Sequence, residues 1–158
     1  MTNEKALREQ LVKLLASEEA HASYEKAVSA MPVELAGMKP DGAPHSAWEE
    51  LEHLRITQHD ILEFIRDPKY VSPKWPEGYW PKVSEPVDSR DWDKSVKAYR
   101  ADAEALAELV RDEGTDLFAK IPQGDGQTVL REILLVADHT AYHVGQLVLI
   151  RKMLGVWG

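Results

Sequence analysis

Hydrophobic residues recur at helical spacing in four stretches of the chain, and no stretch shows the apolar–polar alternation of a half-buried β-strand. The first stretch predicts a helix from about Asn3 to Met31, with Leu7 and Leu11 on its apolar side. It ends there because the following Pro32 disfavours helical geometry in the residue before it.

The second helix begins at a recognisable start signal. Ser46 is followed three residues later by Glu49, the pattern of a capping box in which hydroxyl and carboxylate satisfy free amides of the first turn. Pro68 ends the helix after Asp67, since proline cannot supply the backbone donor that a helix interior requires.

Two further helices are predicted in the second half of the chain. The third starts near Ser89 and ends by Gly114. The fourth runs from about Gln127 to Leu154, where the following glycine can serve as the C-terminal cap.

A long segment, residues 68–88, separates the second and third helices and contains five prolines, Trp75 and Trp80. Loops of this length are often functional. The two tryptophans can roof a substrate pocket or cover the gap between the helices, and the sequence leaves both readings open. Four helices joined in this way predict an all-α fold, a four-helix bundle with a long aromatic and proline-rich crossover between helices two and three. Residues 1–158 are expected to form one domain.

The composition narrows the classes of partner. A formal net charge of −8 disfavours nucleic acid as a partner, because an acidic chain repels phosphate backbones. The chain has no cysteine, which excludes disulfides and thiolate ligands. The charged N-terminus has no apolar signal core and no apolar run approaches 18 residues, so we expect a cytoplasmic protein with no membrane segment.

The stretch "DHTAYHVGQLVLIRK" places His139 and His143 four residues apart in the fourth helix. Residues at this spacing lie on the same helical face, here toward the apolar side. Two imidazoles so placed suit one borderline metal ion such as zinc, nickel or iron. The alternative is a pair of partly buried histidines bonded to backbone or carboxylate groups.

A usable metal site needs a third ligand, and helical phase leaves two candidates for it. His53 lies well off the apolar stripe of the second helix and by phase alone would be a surface residue, whereas His21 lies closer to the apolar side of the first. Phase alone therefore puts His21 slightly ahead. His59 is expected at the surface, and His45 is expected to belong to the start of the second helix.

The stretches "PHSAWEELEHLRITQHDILEF" and "LREILLVADHTAYHVGQLVLIRKMLG" are similar to the second and last helices of the DinB/YfiT-like family of bacterial four-helix bundles. The crossover "YVSPKWPEGYWP" also resembles one branch of that family. The resemblance covers nearly the whole chain. It implies that His53, His139 and His143 hold a divalent metal ion, zinc or nickel, and it makes His21 a candidate for a residue that contacts the ligands or lines the pocket.

The resemblance also implies a function, a metal-dependent enzyme acting on a small molecule. The expected reactions are S-transfer with a low-molecular-weight thiol, or hydrolysis. The alternative is a non-catalytic small-ligand-binding or stress-response module. A homodimer is expected by the same resemblance. Glu132 and His21 are the candidates for the general base, although a carboxylate in the first turns of a helix is more simply explained as a charge favoured by the helix dipole.

Overall fold

The computed structural model describes residues 3–16, 20–86 and 88–158, and in these residues the chain is helical with no strand. One isolated antiparallel bridge joins Lys120 and Thr128. The elements, in chain order, are α1 (Asn3–Ala16), α2 (Tyr24–Val28), α3 (Val33–Ala36), α4 (Ala47–Arg66), a 3-10 turn (Glu77–Tyr79), α5 (Ser89–Arg111) and α6 (Val129–Met153).

The single first helix predicted from Asn3 to Met31 is wrong, because α1 ends at Ala16 and α2 starts afresh at Tyr24. Residues 17–19, within the predicted helix, lie outside the described residues. The new start has a local cause. The Ser23 hydroxyl accepts a hydrogen bond from the Lys26 amide and so caps α2 instead of continuing α1.

The three longer helices begin and end within three residues of the predicted positions. Both bonds of the capping box between Ser46 and Glu49 are present at the start of α4. Asp88 caps α5 and Thr128 caps α6, each through a side-chain oxygen that accepts a hydrogen bond from a backbone amide of the first turn. The N-cap residues of the sequence therefore determine where these helices start.

Helix α4 packs against both α5 and α6, and α1 packs across α5 and α6. Two hydrophobic clusters form the interior. The aromatic cluster consists of Tyr24, Ala27, Val28, Met31, Ala36, Ala47, Trp48, Leu51, Leu54, Trp92, Val96, Tyr99, Val144, Leu147 and Ile150. The aliphatic cluster consists of Leu11, Ile61, Leu62, Leu106, Val110, Leu117, Ile121, Val129, Ile133 and Val136.

A polar layer separates the two clusters at mid-length of the helices. The Gln58 amide donates to the Tyr99 carbonyl oxygen at 2.8 Å. The Tyr99 hydroxyl and the Thr140 hydroxyl share a hydrogen bond of 2.9 Å. These bonds satisfy polar groups that would otherwise be costly to bury.

Arg8 links α1 to the C-terminal end of α5, beside the aliphatic cluster. Its buried guanidinium donates to the carbonyl oxygens of Val110 (2.8 Å), Asp112 (2.9 Å) and Thr115 (2.6 Å). The three acceptors lie at and after the end of α5, where helical carbonyls lack partners of their own. A single side chain of α1 therefore satisfies the end of α5.

Arg151 likewise satisfies backbone carbonyl oxygens, beside the aromatic cluster. Its buried guanidinium donates to the carbonyl oxygens of Ala27 (2.7 Å), Ser29 (2.8 Å) and Val156 (3.0 Å). Trp157 lies 5.4 Å from the same guanidinium, ring centroid to Cζ. The short helix α2 is thereby attached to the last turn of α6.

By length and composition alone, α6 is apolar enough to cross a membrane, a feature we did not expect from the sequence. It qualifies because its few charges and two histidines are diluted by many aliphatic residues. One such helix is weak evidence, since the core helix of a soluble protein passes the same test. Here α6 packs against α1, α2 and α4.

Candidate metal site

Three histidines from two helices meet where α4 packs on α6. His53 of α4 faces His139 and His143 of α6, and their candidate ligand nitrogens all lie within 4.8 Å of one another. The Nε2 atoms of His53 and His139 are 3.1 Å apart. The predicted pair and one of the two candidate third residues are thus brought together, in an arrangement that can hold a metal ion.

Two of the rings are fixed by a partner on the nitrogen that faces away from the cluster. His53 Nδ1 donates to the Tyr79 carbonyl oxygen at 2.7 Å, and His143 Nδ1 lies 2.6 Å from Glu50 Oε2. Both acceptors require a proton on Nδ1, which leaves the Nε2 lone pair free. Outer partners of this kind fix the tautomer and orientation of histidines that bind metals. The donor set therefore fits a divalent transition metal.

The surroundings favour neutral imidazoles. Burial lowers the pKa of His53, and repulsion from His143 lowers it further. Burial, together with repulsion from His143 and His53, lowers the pKa of His139 to about 3. A neutral imidazole is the form that offers a lone pair to a metal.

The surface position that helical phase assigned to His53 is wrong, because this side chain is only 3% exposed. The crossover covers that side of α4. Trp80 stacks on the His53 ring with centroids 4.1 Å apart and planes at 8°. His45 stacks on the same indole at 3.9 Å. The face of α4 that carries His53 is predicted from periodicity to be solvent-exposed, but the crossover buries it.

The slight preference for His21 as third ligand is also wrong. His21 is exposed, and its Nδ1 lies 2.9 Å from the Ala22 carbonyl oxygen just before α2. The break between α1 and α2 removes the continuous helix on which its inward phase was calculated. His59 is on the surface side as expected, 3.0 Å from Asp102.

Glu50 is a member of the site that the sequence did not reveal. It is 2% exposed and bonded to His143. Its signal was present but weak: it lies one turn before His53, on the flank of α4 that phase assigned to the surface. A carboxylate buried to this extent needs a partner, and His143 supplies it.

A cavity of about 420 Å³ opens beside the histidines, between α4, α6 and the crossover. His53 and His139 form part of its wall, and so does Glu132, which is 3% exposed. Trp75 also lines the cavity, whereas Trp80 packs on His53. Trp75 therefore lies where the pocket reading of the tryptophans expects it, whereas Trp80 is stacked between His45 and His53.

Glu132 is not free to act alone. Its Oε1 accepts a bond of 2.8 Å from Nη1 of Arg131. It also lies about two turns before His139 along α6, about 10 Å at the rise of an α-helix. The distance and the ion pair suit a group that positions a ligand better than one that takes a proton at the histidines.

Comparison with known proteins identifies the family. The family model described as the DinB superfamily matches residues 16–147, which is most of the chain and includes all three clustered histidines. No curated protein and no solved structure gave a significant match. The chain belongs to the DinB superfamily.

Proposed function

We propose that this protein is a metal-dependent enzyme, built as one four-helix-bundle domain, in which His53, His139 and His143 bind a divalent zinc or nickel ion. The observation that carries the proposal is the convergence of the three ligand nitrogens with Nδ1 of two rings bonded outward. Structural zinc sites are normally closed by four protein ligands, whereas three leave a position for water or substrate.

A metal held there would supply Lewis acidity and a nucleophile ionised near neutral pH. The side chains around it have separate tasks. Glu50 holds the His143 ring in one tautomer, and the Tyr79 carbonyl does the same for His53. Trp80, stacked on His53, excludes water from that side, and the cavity beside His139 receives the substrate.

The reaction we propose is transfer to or from a low-molecular-weight thiol, with hydrolysis by bound water as the second possibility. The absence of cysteine supports both, because the chain has no thiol nucleophile of its own. We further propose that the protein acts in the cytoplasm on a small molecule. The homodimer is still a prediction, which sedimentation velocity would test.

Elemental analysis of the purified protein tests the metal and identifies it. We expect stoichiometric zinc or nickel in the wild type and almost none in His139→Ala, because removing one ligand of three leaves too few donors. His59→Ala is the matched control, a histidine on α4 that contacts Asp102 away from the cluster. Full metal occupancy in His139→Ala would contradict the proposal.

A non-catalytic binding module is the alternative, and activity separates it from the enzyme. Metal-loaded wild type and His139→Ala would be assayed with electrophiles and a panel of cellular thiols, and with ester and amide substrates. The proposal expects turnover in the wild type alone. Stoichiometric metal with no turnover in either series would favour the binding module.

A further inference from the structure

The end of the cavity remote from the histidines contains an acid with an unused acceptor. Asp60 is 8% exposed and lines the cavity. Its Oδ2 accepts a bond of 2.8 Å from the Tyr79 hydroxyl, and the Tyr70 hydroxyl lies near enough for this carboxyl to raise the pKa of Tyr70, whereas Asp60 Oδ1 is buried and makes no hydrogen bond. Thr57 lines the same wall one turn nearer His53, and its buried hydroxyl is also unpartnered. Buried polar atoms are rarely left in this state, so a ligand that donates is indicated.

The charges around the cavity do not balance at Asp60. Arg131 is the cation of the cavity wall, and its guanidinium is bonded to Glu132. Among the described residues, no lysine, arginine or histidine forms an ion pair with Asp60. Burial and the neighbouring Asp60 charge raise the pKa of Tyr79 to about 12, so its hydroxyl stays a donor and does not compensate the charge. A buried carboxylate without a cation is expensive, and a cationic ligand would relieve that cost.

Apolar side chains make up much of the remaining wall, which also contains Ser72 and Gln127, whose buried Oε1 has no hydrogen-bond partner. Phe64, Leu135 and Trp75 line the cavity. Asp60 lies about two turns after His53 on α4, about 10 Å along the helix axis. A ligand that reaches both ends therefore needs an apolar body between two polar groups.

We propose that this cavity binds an amine-bearing small molecule, with its ammonium group on Asp60 and Thr57, its apolar body along Phe64 and Leu135, and its opposite end facing His53 and His139. The position of the opposite end rests on the proposed metal function. The ammonium site does not, because Asp60 and Thr57 stand apart from the histidines.

An anionic ligand is the competing interpretation, because Arg131 lines the same cavity. Its guanidinium is already matched by Glu132, and the unmatched charge belongs to Asp60. Adding a carboxylate would place a third acid beside these two. The charge balance therefore favours the ammonium group.

Calorimetric titration of the protein as purified, with metal content measured in parallel, tests the inference with two ligand series. The first series is hexylamine, hexanol and hexanoate. The second carries a terminal thiol as a metal anchor and consists of aminohexanethiol, hydroxyhexanethiol and mercaptohexanoic acid. We expect each amine to bind about tenfold or more tightly than its alcohol, as hydrogen bonds to charged groups predict, with the carboxylates weakest.

Asp60→Asn should abolish the preference for the amine, with binding of the alcohols unchanged. Asp102→Asn is the matched control, since it removes the same charge from the α5 surface beside His59, and should leave the preference intact. If Asp60→Asn fails to fold, Tyr79→Phe replaces it: freeing the second oxygen of Asp60 should preserve or increase the preference.

The outcomes separate the two proposals. A preference for hexylamine without any gain from the thiol anchor would support the ammonium site and count against an open metal position. Equal binding of amine and alcohol in both series, or tighter binding of the carboxylates, would overturn the ammonium site even if the metal is present.

Discussion

The two hydrophobic clusters differ in what their side chains do besides pack. The aliphatic cluster contains no polar side-chain atom. In the aromatic cluster, the Trp48 indole donates to the Val83 carbonyl of the crossover at 3.1 Å, and the Trp92 indole donates to the Val28 carbonyl of α2 at 3.3 Å. Both clusters therefore hold the helices together, whereas the aromatic cluster also forms hydrogen bonds to the backbone of the crossover and of α2. His53 of the candidate site lies under Trp80 of the crossover, and the adjoining cavity extends to Ile61 of the aliphatic cluster.

The largest effect on folding should come from the aliphatic cluster. Leu106 is fully buried there, and Leu106→Ala should lower the free energy of unfolding by about 2–5 kcal/mol through lost burial and a residual cavity. Metal content per folded chain should not change, because Leu106 lies on α5 whereas the three histidines lie on α4 and α6. Urea denaturation and elemental analysis measure the two quantities. Parallel loss of metal in the folded fraction would show that the clusters are not independent.

Replacing each of the two indoles by phenylalanine tests whether the aromatic cluster supports the site through the crossover. Trp48→Phe and Trp92→Phe each remove one indole hydrogen bond and some volume from residues of equal burial, at about 1–3 kcal/mol each. We expect only Trp48→Phe to speed proteolytic cleavage within residues 68–88 and to weaken metal retention against a chelator. Trp92→Phe serves as the matched control. The same cleavage rate in both variants would refute a special role for the Val83 contact.

The polar layer between the clusters should give the smallest effect. Tyr99→Phe and Thr140→Val each remove one partner of the same buried bond, at about 1 kcal/mol. The double variant should cost less than the sum, because the second change leaves no unsatisfied partner. Additive losses would indicate that this bond does not couple the helices.

Tyr99→Phe should also change how the stability of the protein depends on pH in alkaline solution. Burial raises the pKa of Tyr99 from 10.0 to about 12 in the folded chain. Since the folded state holds this proton more tightly than the unfolded state, its stabilising contribution is complete below pH 10 and is lost as the pH rises toward 12. Tyr99→Phe should therefore show a shallower loss of stability over this interval. Identical alkaline curves for the two proteins would contradict the effect.

Local signals in the sequence predicted most of the helices. The capping box at Ser46 and the proline after Asp67 fixed the ends of α4 because both act within one turn of the chain. The break after α1 was missed because Ser23 reads as an ordinary polar residue inside a periodic pattern. Its capping bond appears only when the chain leaves the helix.

The site was predicted in part, for a related reason. His139 and His143 share a face by spacing alone, so one helix sufficed to pair them. His53 could not be placed from α4, because its burial is produced by Trp80, which is 27 positions away along an irregular segment. Glu50, which lies on the same flank of α4 as His53, was missed for the same reason. Periodicity describes how one helix faces a core and contains nothing about a loop that covers its other side.

The bonds of the two buried arginines span 102 residues from Arg8 to Val110 and 124 residues from Arg151 to Ala27. Closing loops of that size costs chain entropy before any bond is gained. Helices form locally and early, so these bonds should be absent from the folding transition state. Interactions absent from that state slow unfolding without accelerating folding. The two guanidinium groups therefore act chiefly on the lifetime of the folded molecule.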